Sequence, residues 1–158
     1  MAGDVKRICL LGAESTGMTT LARSLAAAYG TVWNPEYGRP YTELGRDPDA
    51  PWISAEFTHI ARIQCWYEDC LAGSARRALF CDTDAFTTML FHEVYLGDPT
   101  HAFDDLVDRC YDLFLVCGSS PQGVDFDALD GAPVRLFFLL IGPESAAGQH
   151  VKALSRIA

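Results

Sequence analysis

The chain has few basic residues for its acidic content. Its 158 residues include 12 lysines and arginines against 21 aspartates and glutamates, which gives a formal net charge of −9. Proteins that bind a nucleic acid backbone neutralise its phosphates with clustered lysine and arginine, so this balance argues against a nucleic acid partner. A small nucleotide is not excluded, because one local cradle can hold its phosphates whatever the net charge of the chain.

The chain also lacks a long hydrophobic run. The apolar segment at residues 8–11, behind the basic N-terminal residues, is too short for a signal peptide or a membrane span. The six cysteines form no C-x-x-C pair, and four of them lie in apolar segments, which favours buried free thiols over a disulfide framework. We therefore expect a cytoplasmic protein with no membrane partner.

Length and periodicity predict a single α/β domain over residues 1–158. The composition, 49% hydrophobic and 21% charged, is that of an ordinary globular protein. Strands and helices alternate, which predicts a three-layer α/β/α architecture around a parallel sheet of about five strands, with ligands at the carboxyl ends of the strands. The predicted strands are residues 7–11, 31–33, 78–81, 113–117 and 134–141, and the predicted helices are 19–29, 54 to about 76, 86–94, a short one near 103–110, and 147–158.

Three local features predict interruptions or helix ends. Pro40 disfavours regular structure around it. Ser54 can cap the long helix that follows. Residues 118–133 are acidic and rich in glycine and proline, which predicts a turn-rich connection.

A glycine loop directly after the first predicted strand is the strongest functional signal. Residues 12–19 fit the pattern G-x-x-x-x-G-K-[ST] except that Met18 stands where the pattern has lysine. Backbone N–H groups and a helix N-terminus hold the phosphates in such a loop, and this part needs no lysine. The alternative is a glycine-rich turn that binds nothing. The predicted phosphate-binding residues, in a P-loop NTPase-like fold, are Gly12, Ser15, Thr16, Gly17, Met18, Thr19 and Thr20.

Acidic residues follow two further strands at the same edge of the predicted sheet. Asp82 and Asp84 come after the third strand, where Asp82 would join the Thr19 hydroxyl in holding Mg²⁺ and Asp84 would face a second substrate. Glu36 and Arg39 come after the second strand, where Glu36 would accept the proton of an attacking hydroxyl and Arg39 would bind substrate. The alternatives are a helix cap formed by the aspartates and a solvated charged turn.

Four stretches resemble a known family. They are Gly-Ala-Glu-Ser-Thr-Gly at 12–17, Pro-Glu-Tyr-Gly-Arg at 35–39, Phe-Thr-His-Ile-Ala-Arg-Ile-Gln at 57–64 and Phe-Cys-Asp-Thr-Asp-Ala-Phe-Thr-Thr at 80–88. Over about residues 5–117 the chain resembles the ribosylnicotinamide kinase domain of the NAD-biosynthesis regulator family. This resemblance implies a P-loop kinase fold that transfers the γ-phosphoryl group of ATP to the 5′-hydroxyl of nicotinamide riboside, with Mg²⁺.

The resemblance implies that Glu36 or Asp84 lies at the substrate hydroxyl and Asp82 at the metal. The chain departs from the family at Met18, at Pro40 after the Glu-Tyr-Gly-Arg segment, and in the missing arginine-bearing lid after the fourth strand. Loss of one preorganised charge-stabilising donor typically lowers a rate by about 10²–10³-fold. We therefore expect ATP or ADP binding with impaired catalysis.

The C-terminal part resembles a different family. Residues 120–127 and 130–140 resemble the end of a fructose-type phosphotransferase IIA domain. The phosphorylated histidine of that family belongs to an earlier segment that has no counterpart here, so its chemistry does not pass to His150. The two resemblances predict a chimera of a kinase-like part, 1–117, and a IIA-like part, 118–158. The second candidate function is accordingly a non-catalytic, engineered scaffold made from two α/β folds.

Overall fold

The computed structural model describes residues 5–97, 100–124 and 133–141, and in these ranges the chain alternates strands with helices. The predicted helix at 147–158 lies outside the described residues. In chain order the elements are β1 (Lys6–Gly12), α1 (Met18–Tyr29), β2 (Trp33–Asn34), α2 (Gly38–Leu44), α3 (Ser54–Ala72), β3 (Ala78–Asp82), α4 (Ala85–Leu96), α5 (Asp104–Val107), β4 (Leu113–Val124) and β5 (Val134–Ile141).

The strands form one sheet in the order β2-β3-β1-β4-β5. The first four are parallel, which confirms the predicted α/β architecture. β5 runs antiparallel to β4, contrary to the expectation of a fully parallel sheet. The stretch between Val124 and Val134 is shorter than the dozen or so residues that a parallel crossover needs, so these two strands pair as antiparallel neighbours.

β4 continues well beyond the apolar run that predicted it. Residues 118–124, which we expected in a turn-rich connection, extend the strand, and Gly118 pairs with Phe137 of β5. Their glycine, serine and proline content hid the strand, because the pairing depends on a partner that lies later in the chain. Pro121 falls where the register shifts between Ser119 and Val124, an irregular position that tolerates a residue without a backbone N–H.

α1 covers one face of the sheet and begins where the glycine loop ends. Its inward residues recur at helical spacing and join a core cluster with β1, β3 and β4. The helix ends at Gly30, whose φ of 61° permits its N–H to reach the last carbonyls of the helix. The buried members of this cluster are Leu10, Ala22, Leu25, Ala26, Ala78, Phe80 and Leu115.

α3 and α4 pack together in a second core cluster, and α3 also contacts β2 and β3. α3 carries a buried carboxylate: Glu68 is 1% exposed and accepts hydrogen bonds from Arg7 Nη1 (2.6 Å), Arg109 Nη2 (3.2 Å) and the Tyr111 hydroxyl (2.8 Å). Each of these donors satisfies a carboxylate that would otherwise be costly to bury. The network therefore ties α3 to the start of β1, at the opposite end of that strand from the loop.

Two local predictions are wrong. Pro40 does not interrupt structure but lies in the first turn of α2, where its missing N–H would have had no intrahelical partner. Ser54 does not cap α3, because Ile53 is the N-cap and Glu56 Oε2 accepts its N–H at 3.0 Å. Glu56 also accepts from Arg46 Nε at 3.0 Å, so this carboxylate joins the two ends of the connection from α2 to α3.

Within the described ranges, none of the helices is both long enough and apolar enough to cross a membrane.

Candidate functional site

The loop between β1 and α1 depends on two glycines. A Cβ atom on Gly12 would lie 2.5 Å from the Cys117 carbonyl oxygen and 2.9 Å from Thr16 Oγ1, so a larger residue does not fit. Gly17, directly before α1, has a φ of 84°, in the left-handed region that L-residues other than glycine seldom adopt. The sequence spacing of the two glycines thus has a steric cause at each end of the loop.

Thr16 forms a hydrogen bond within the glycine loop. Its Oγ1 donates to the Ala13 carbonyl oxygen at 2.7 Å, and the residue is buried. Among the described residues, no side chain caps α1 at Gly17 and no acidic residue lies in its first turn. The first backbone N–H groups of α1 and their positive partial charge therefore face the loop, as they must in order to bind an anion.

Thr19 and Asp82 meet at the mouth of the loop. Thr19 Oγ1 donates to Asp82 Oδ2 at 2.6 Å and so joins α1 to the end of β3. Asp82 is 2% exposed; burial raises the pKa of its carboxyl, while the Thr19 hydroxyl, the Arg39 charge and the Glu36 backbone N–H oppose that shift. A hydroxyl and a carboxylate are the hard oxygen ligands that Mg²⁺ prefers.

These two residues fit a magnesium ion only together with a ligand. In the part of the chain that the structure describes, no group of three or more histidine, cysteine, aspartate or glutamate side chains is arranged to hold a metal ion. Mg²⁺ usually keeps several waters and takes one or two protein oxygens plus substrate phosphates. An ion at Thr19 and Asp82 would therefore complete its coordination with waters and phosphate oxygens.

The loop opens into a cleft of about 610 Å³ that runs between α2, α3 and α4. Three of the predicted site residues, Thr20, Asp82 and Asp84, are not among its lining residues. Thr20 is exposed on the first turn of α1. The predicted residues that do line the cleft are Gly12, Ser15, Thr16, Gly17, Met18, Thr19, Glu36 and Arg39.

Met18 forms part of the apolar wall of the cleft. Its side chain is partly buried and packs against the core cluster of α1 and the sheet. The position that carries a lysine in the sequence pattern therefore supplies packing here and no charge.

Glu36 and Arg39 form an ion pair on the cleft, with 3.3 Å between Glu36 Oε2 and Arg39 Nη2. Burial raises the pKa of the Glu36 carboxyl; the Arg39 charge opposes this shift, and the negative charges of Asp82 and Glu14 add to it. A carboxylate with a raised pKa is a better proton acceptor than an ordinary one. The direction of this pKa shift suits a proton acceptor, and the role of Glu36 at a substrate hydroxyl stays a prediction.

Asp84 is the N-cap of α4. Its Oδ1 accepts hydrogen bonds from the N–H and from the hydroxyl of Thr87, both at 2.8 Å. Burial raises the pKa of this carboxyl, and the bonds from Thr87 oppose the shift. The structure therefore matches the capping alternative for Asp84, and its role at a substrate hydroxyl stays a prediction.

Sequence reasoning missed the far half of the cleft. Aromatic side chains from α3, α4 and the segment before α3 line it: Trp52, Phe57, Phe91 and Tyr95. Gln64 of α3 also lines it; its Oε1 accepts the Tyr37 N–H at 2.8 Å, and its buried Nε2 lacks a partner within the described residues. Helical periodicity marks such residues as core and cannot separate a cleft wall from a packed face.

A second cavity of about 380 Å³ lies on the other side of the Glu36–Arg39 pair. Its walls include the rings of Trp33, Tyr37 and Tyr67, and Asp82 also lines it. Thr19, Glu36 and Arg39 line both cavities. The two cavities therefore share a wall formed by these three residues.

Comparison with known proteins shows which family and which relatives the chain resembles. The family model described as "AAA domain" matches residues 7–132. The "Trifunctional NAD biosynthesis/regulator protein NadR" of Escherichia coli (strain K12) is 34% identical over 115 residues, which are 71% of this chain and 28% of the relative. The chain thus spans little more than a quarter of the length of that relative. A shorter match, 45% identical over 40 residues, is to the "PTS system fructose-specific EIIABC component" of Bacillus subtilis (strain 168), and it covers 25% of this chain and 6% of that protein.

Two solved structures have the same fold over most of the chain. One is described as "Crystal structure of NadR protein in complex with NR"; it superposes with a TM-score of 0.62 at 27% identity over 72% of this chain and 34% of its own. The other, "Crystal structure of NadR protein in complex with NAD and AMP-PNP", gives the same TM-score at 26% identity and the same coverage. Because the family model matches most of the chain and the glycine loop and sheet agree with it, the chain belongs to the AAA domain family, with a P-loop domain similar to that of NadR.

Proposed function

We propose that the chain binds ATP or ADP with Mg²⁺ at the loop of residues 12–19, and that Met18 impairs its ability to transfer a phosphoryl group. The observation that carries this proposal is the 2.6 Å hydrogen bond between Thr19 Oγ1 and Asp82 Oδ2. It joins two oxygen ligands of the kind that Mg²⁺ prefers, from α1 and β3, beside the uncapped N-terminus of α1.

The residues around the loop have distinct roles in this proposal. Backbone N–H groups of the loop bind the phosphates, and Thr19 and Asp82 hold the metal ion. The ion, when bound, neutralises negative charge on the phosphate oxygens. Glu36 accepts the proton of the attacking hydroxyl, and Arg39 binds the substrate. Asp84 is the alternative to Glu36 as the proton acceptor, although its Oδ1 already accepts two hydrogen bonds from Thr87.

The second cavity supports nicotinamide riboside as the phosphoryl acceptor. Three aromatic residues, Trp33, Tyr37 and Tyr67, line this cavity, and a planar aromatic ligand packs favourably against such side chains. The nearby carboxylates of Glu36 and Asp82 favour a ring that carries positive charge, as the pyridinium of nicotinamide riboside does. The solved NadR structure with NR makes this acceptor the first to test.

We also propose that residues 1–158 form one domain in the cytoplasm. The boundary between the kinase-like and IIA-like parts, at residues 117 and 118, falls inside β4, which pairs with β1 on one side and β5 on the other. Both parts thus contribute to one sheet. The free cysteines are consistent with a reducing compartment.

Calorimetric titration with ADP and Mg²⁺ tests the binding half of the proposal. We expect a saturable heat with the wild-type chain, and no heat at millimolar ligand would contradict it. The catalytic half is tested with Met18→Lys and, as a matched uncharged control, Met18→Leu. We expect Met18→Lys to raise ATP-dependent phosphorylation of nicotinamide riboside by about 10²-fold, and Met18→Leu to leave it unchanged.

The rival function is a non-catalytic chimeric scaffold, engineered from two α/β folds. The packing of Met18 against the core favours it, because the position of the missing lysine has become part of the structure. Activity restored by Met18→Lys would exclude this reading, whereas a Met18→Lys chain that binds Mg²⁺–ADP but transfers no phosphate would support it.

A further inference from the structure

The cleft is lined by more acidic than basic side chains. Glu14 projects from the loop, Glu36 follows β2, and Glu43 lies on α2. Arg39 is the basic side chain that lines the cleft within the described residues, and it is already paired with Glu36 at 3.3 Å. The cleft therefore presents a net negative charge to any ligand that enters it.

The loop itself offers little to offset this charge. Met18 supplies no charge, and the start of α1 contributes only the partial positive charge of its backbone N–H groups, about half a unit. A nucleoside diphosphate or triphosphate without a metal ion carries several negative charges. Its phosphates would enter a cleft whose lining carries three carboxylates and one guanidinium, and that guanidinium is already paired with Glu36.

We propose that Glu14 and Glu43 make this cleft select the metal-bound form of a nucleotide and reject the metal-free form. This inference rests on the proposed nucleotide binding. A divalent cation shared by the phosphates, Thr19 and Asp82 replaces the charge that a loop lysine would provide, and it removes most of the repulsion. With a lysine at position 18 the loop would not need the ion to the same degree.

The acidic lining of the cleft also predicts how salt changes the affinities for metal-free ADP and for Mg²⁺–ADP. Glu14 and Glu43 are exposed, so dissolved ions screen their effect. We expect added potassium chloride to strengthen the binding of metal-free ADP, in contrast to the usual weakening of an anion at a basic site. Mg²⁺–ADP carries less charge, and its affinity should change less.

The experiment is a pair of calorimetric titrations with ADP, one in the presence of Mg²⁺ and one in the presence of excess EDTA. In the wild-type chain we expect metal-free ADP to bind at least about 100-fold more weakly than Mg²⁺–ADP. In the double variant Glu14→Gln/Glu43→Gln we expect metal-free ADP to bind about tenfold more tightly than in the wild type, with a change of under about threefold for Mg²⁺–ADP. Met18→Lys should also reduce the difference in affinity between Mg²⁺–ADP and metal-free ADP. The matched control is Glu93→Gln, an exposed acid on α4 outside the cleft lining, which should leave the ratio unchanged.

Each outcome has a defined meaning. If Mg²⁺–ADP does not bind, the proposed function fails and this inference fails with it. If Mg²⁺–ADP binds and metal-free ADP binds within about threefold of it, only this inference is overturned. It is likewise overturned if the double variant and Glu93→Gln give the same ratio as the wild type, because the selection would then not come from Glu14 and Glu43.

Discussion

The Thr19 hydroxyl has two tasks at the mouth of the loop. In the absence of a ligand it donates to Asp82 Oδ2 at 2.6 Å, and in the proposed complex its oxygen also faces the metal ion. Asp82 is almost fully buried, so this bond offsets part of the cost of keeping its carboxylate away from water. One residue thus contributes both to the fold and to the site.

Thr19→Val tests the structural task. The change keeps the side-chain shape but leaves Asp82 Oδ2 without its donor, and we expect the free energy of unfolding to fall by about 1–3 kcal/mol. Thr20→Val, at the next position of α1, is the matched control, because Thr20 is exposed; its effect should stay within about 0.5 kcal/mol. Urea unfolding of the three chains gives the comparison, and equal losses in both variants would show that the hydroxyl of Thr19 has no special role.

Gly12→Ala tests the steric origin of the loop pattern. An added methyl group would meet the Cys117 carbonyl oxygen at 2.5 Å, a backbone atom of the neighbouring strand that cannot move alone. We expect a loss of about 1–3 kcal/mol in the free energy of unfolding. Gly45→Ala is the control, because a Cβ atom added at Gly45 would lie 3.5 Å from its nearest neighbour, the Tyr41 carbonyl oxygen, and the φ of −129° suits any residue. A Gly12→Ala chain as stable as Gly45→Ala would refute the close packing of β1 on β4.

At the scale of whole elements, sequence analysis predicts the strands and helices whose residue pattern is complete within a short stretch of chain. β3 and the first part of β4 are apolar on both faces, as strands covered by helices must be, and the sequence predicts both. α2 was missed because proline usually interrupts a helix. It is tolerated in the first turn, where Pro40 lies, but the start of this helix could not be recognised from the sequence. The end of β4 was missed because residues 118–124 become a strand only by pairing with β5. The error at β4 concerns a strand pairing that no short window of sequence contains, whereas the error at α2 concerns only where a short helix begins.

The N-terminus of α4 offers a prediction about pH. The pKa of the Asp84 carboxyl is raised by burial, so the folded chain holds this proton more tightly than the unfolded chain does. The resulting stabilisation is fully present below the unfolded pKa of about 3.9 and is lost as the pH rises through the folded pKa. Asp84→Asn keeps the oxygen that accepts from Thr87 but does not titrate. We therefore expect Asp84→Asn to gain stability relative to the wild type between pH 4 and pH 7.

Asp84→Ala is the companion variant for the same helix. It removes the cap itself, and we expect it to cost about 1 kcal/mol in the free energy of unfolding relative to Asp84→Asn. Urea unfolding at pH 4 and pH 7 measures both effects. If the difference between wild type and Asp84→Asn is the same at the two pH values, the raised pKa of Asp84 is contradicted, whatever the result with alanine.

At the scale of the whole molecule, the loop and its rim residues come together because they follow parallel strands. Gly12 ends β1, Glu36 follows β2 and Asp82 ends β3, and parallel strands put these ends at one edge of the sheet. The sequence could therefore predict which residues gather around the loop. It could not predict the aromatic half of the cleft, because the position of Phe91 and Tyr95 depends on how α4 packs against α3.

The cysteines report on whether the two parts of the chain fold as one unit. Burial raises the pKa of the Cys9, Cys65, Cys81 and Cys117 thiols, which protects them from reagents that attack the thiolate. Cys70 and Cys110 are exposed. We expect a thiol reagent to modify two cysteines rapidly in the native chain and the other four only on unfolding.

Cys117 is the decisive thiol, because it lies at the boundary between the kinase-like and IIA-like parts. It pairs with Gly12 of β1 and with Phe138 of β5. If residues 1–158 form one domain, Cys117 should become reactive at the same urea concentration as Cys9 and Cys81, which mass spectrometry of the modified peptides can follow. Reaction of Cys117 at a lower urea concentration would show that β5 leaves the sheet first and that the two parts are separate folding units.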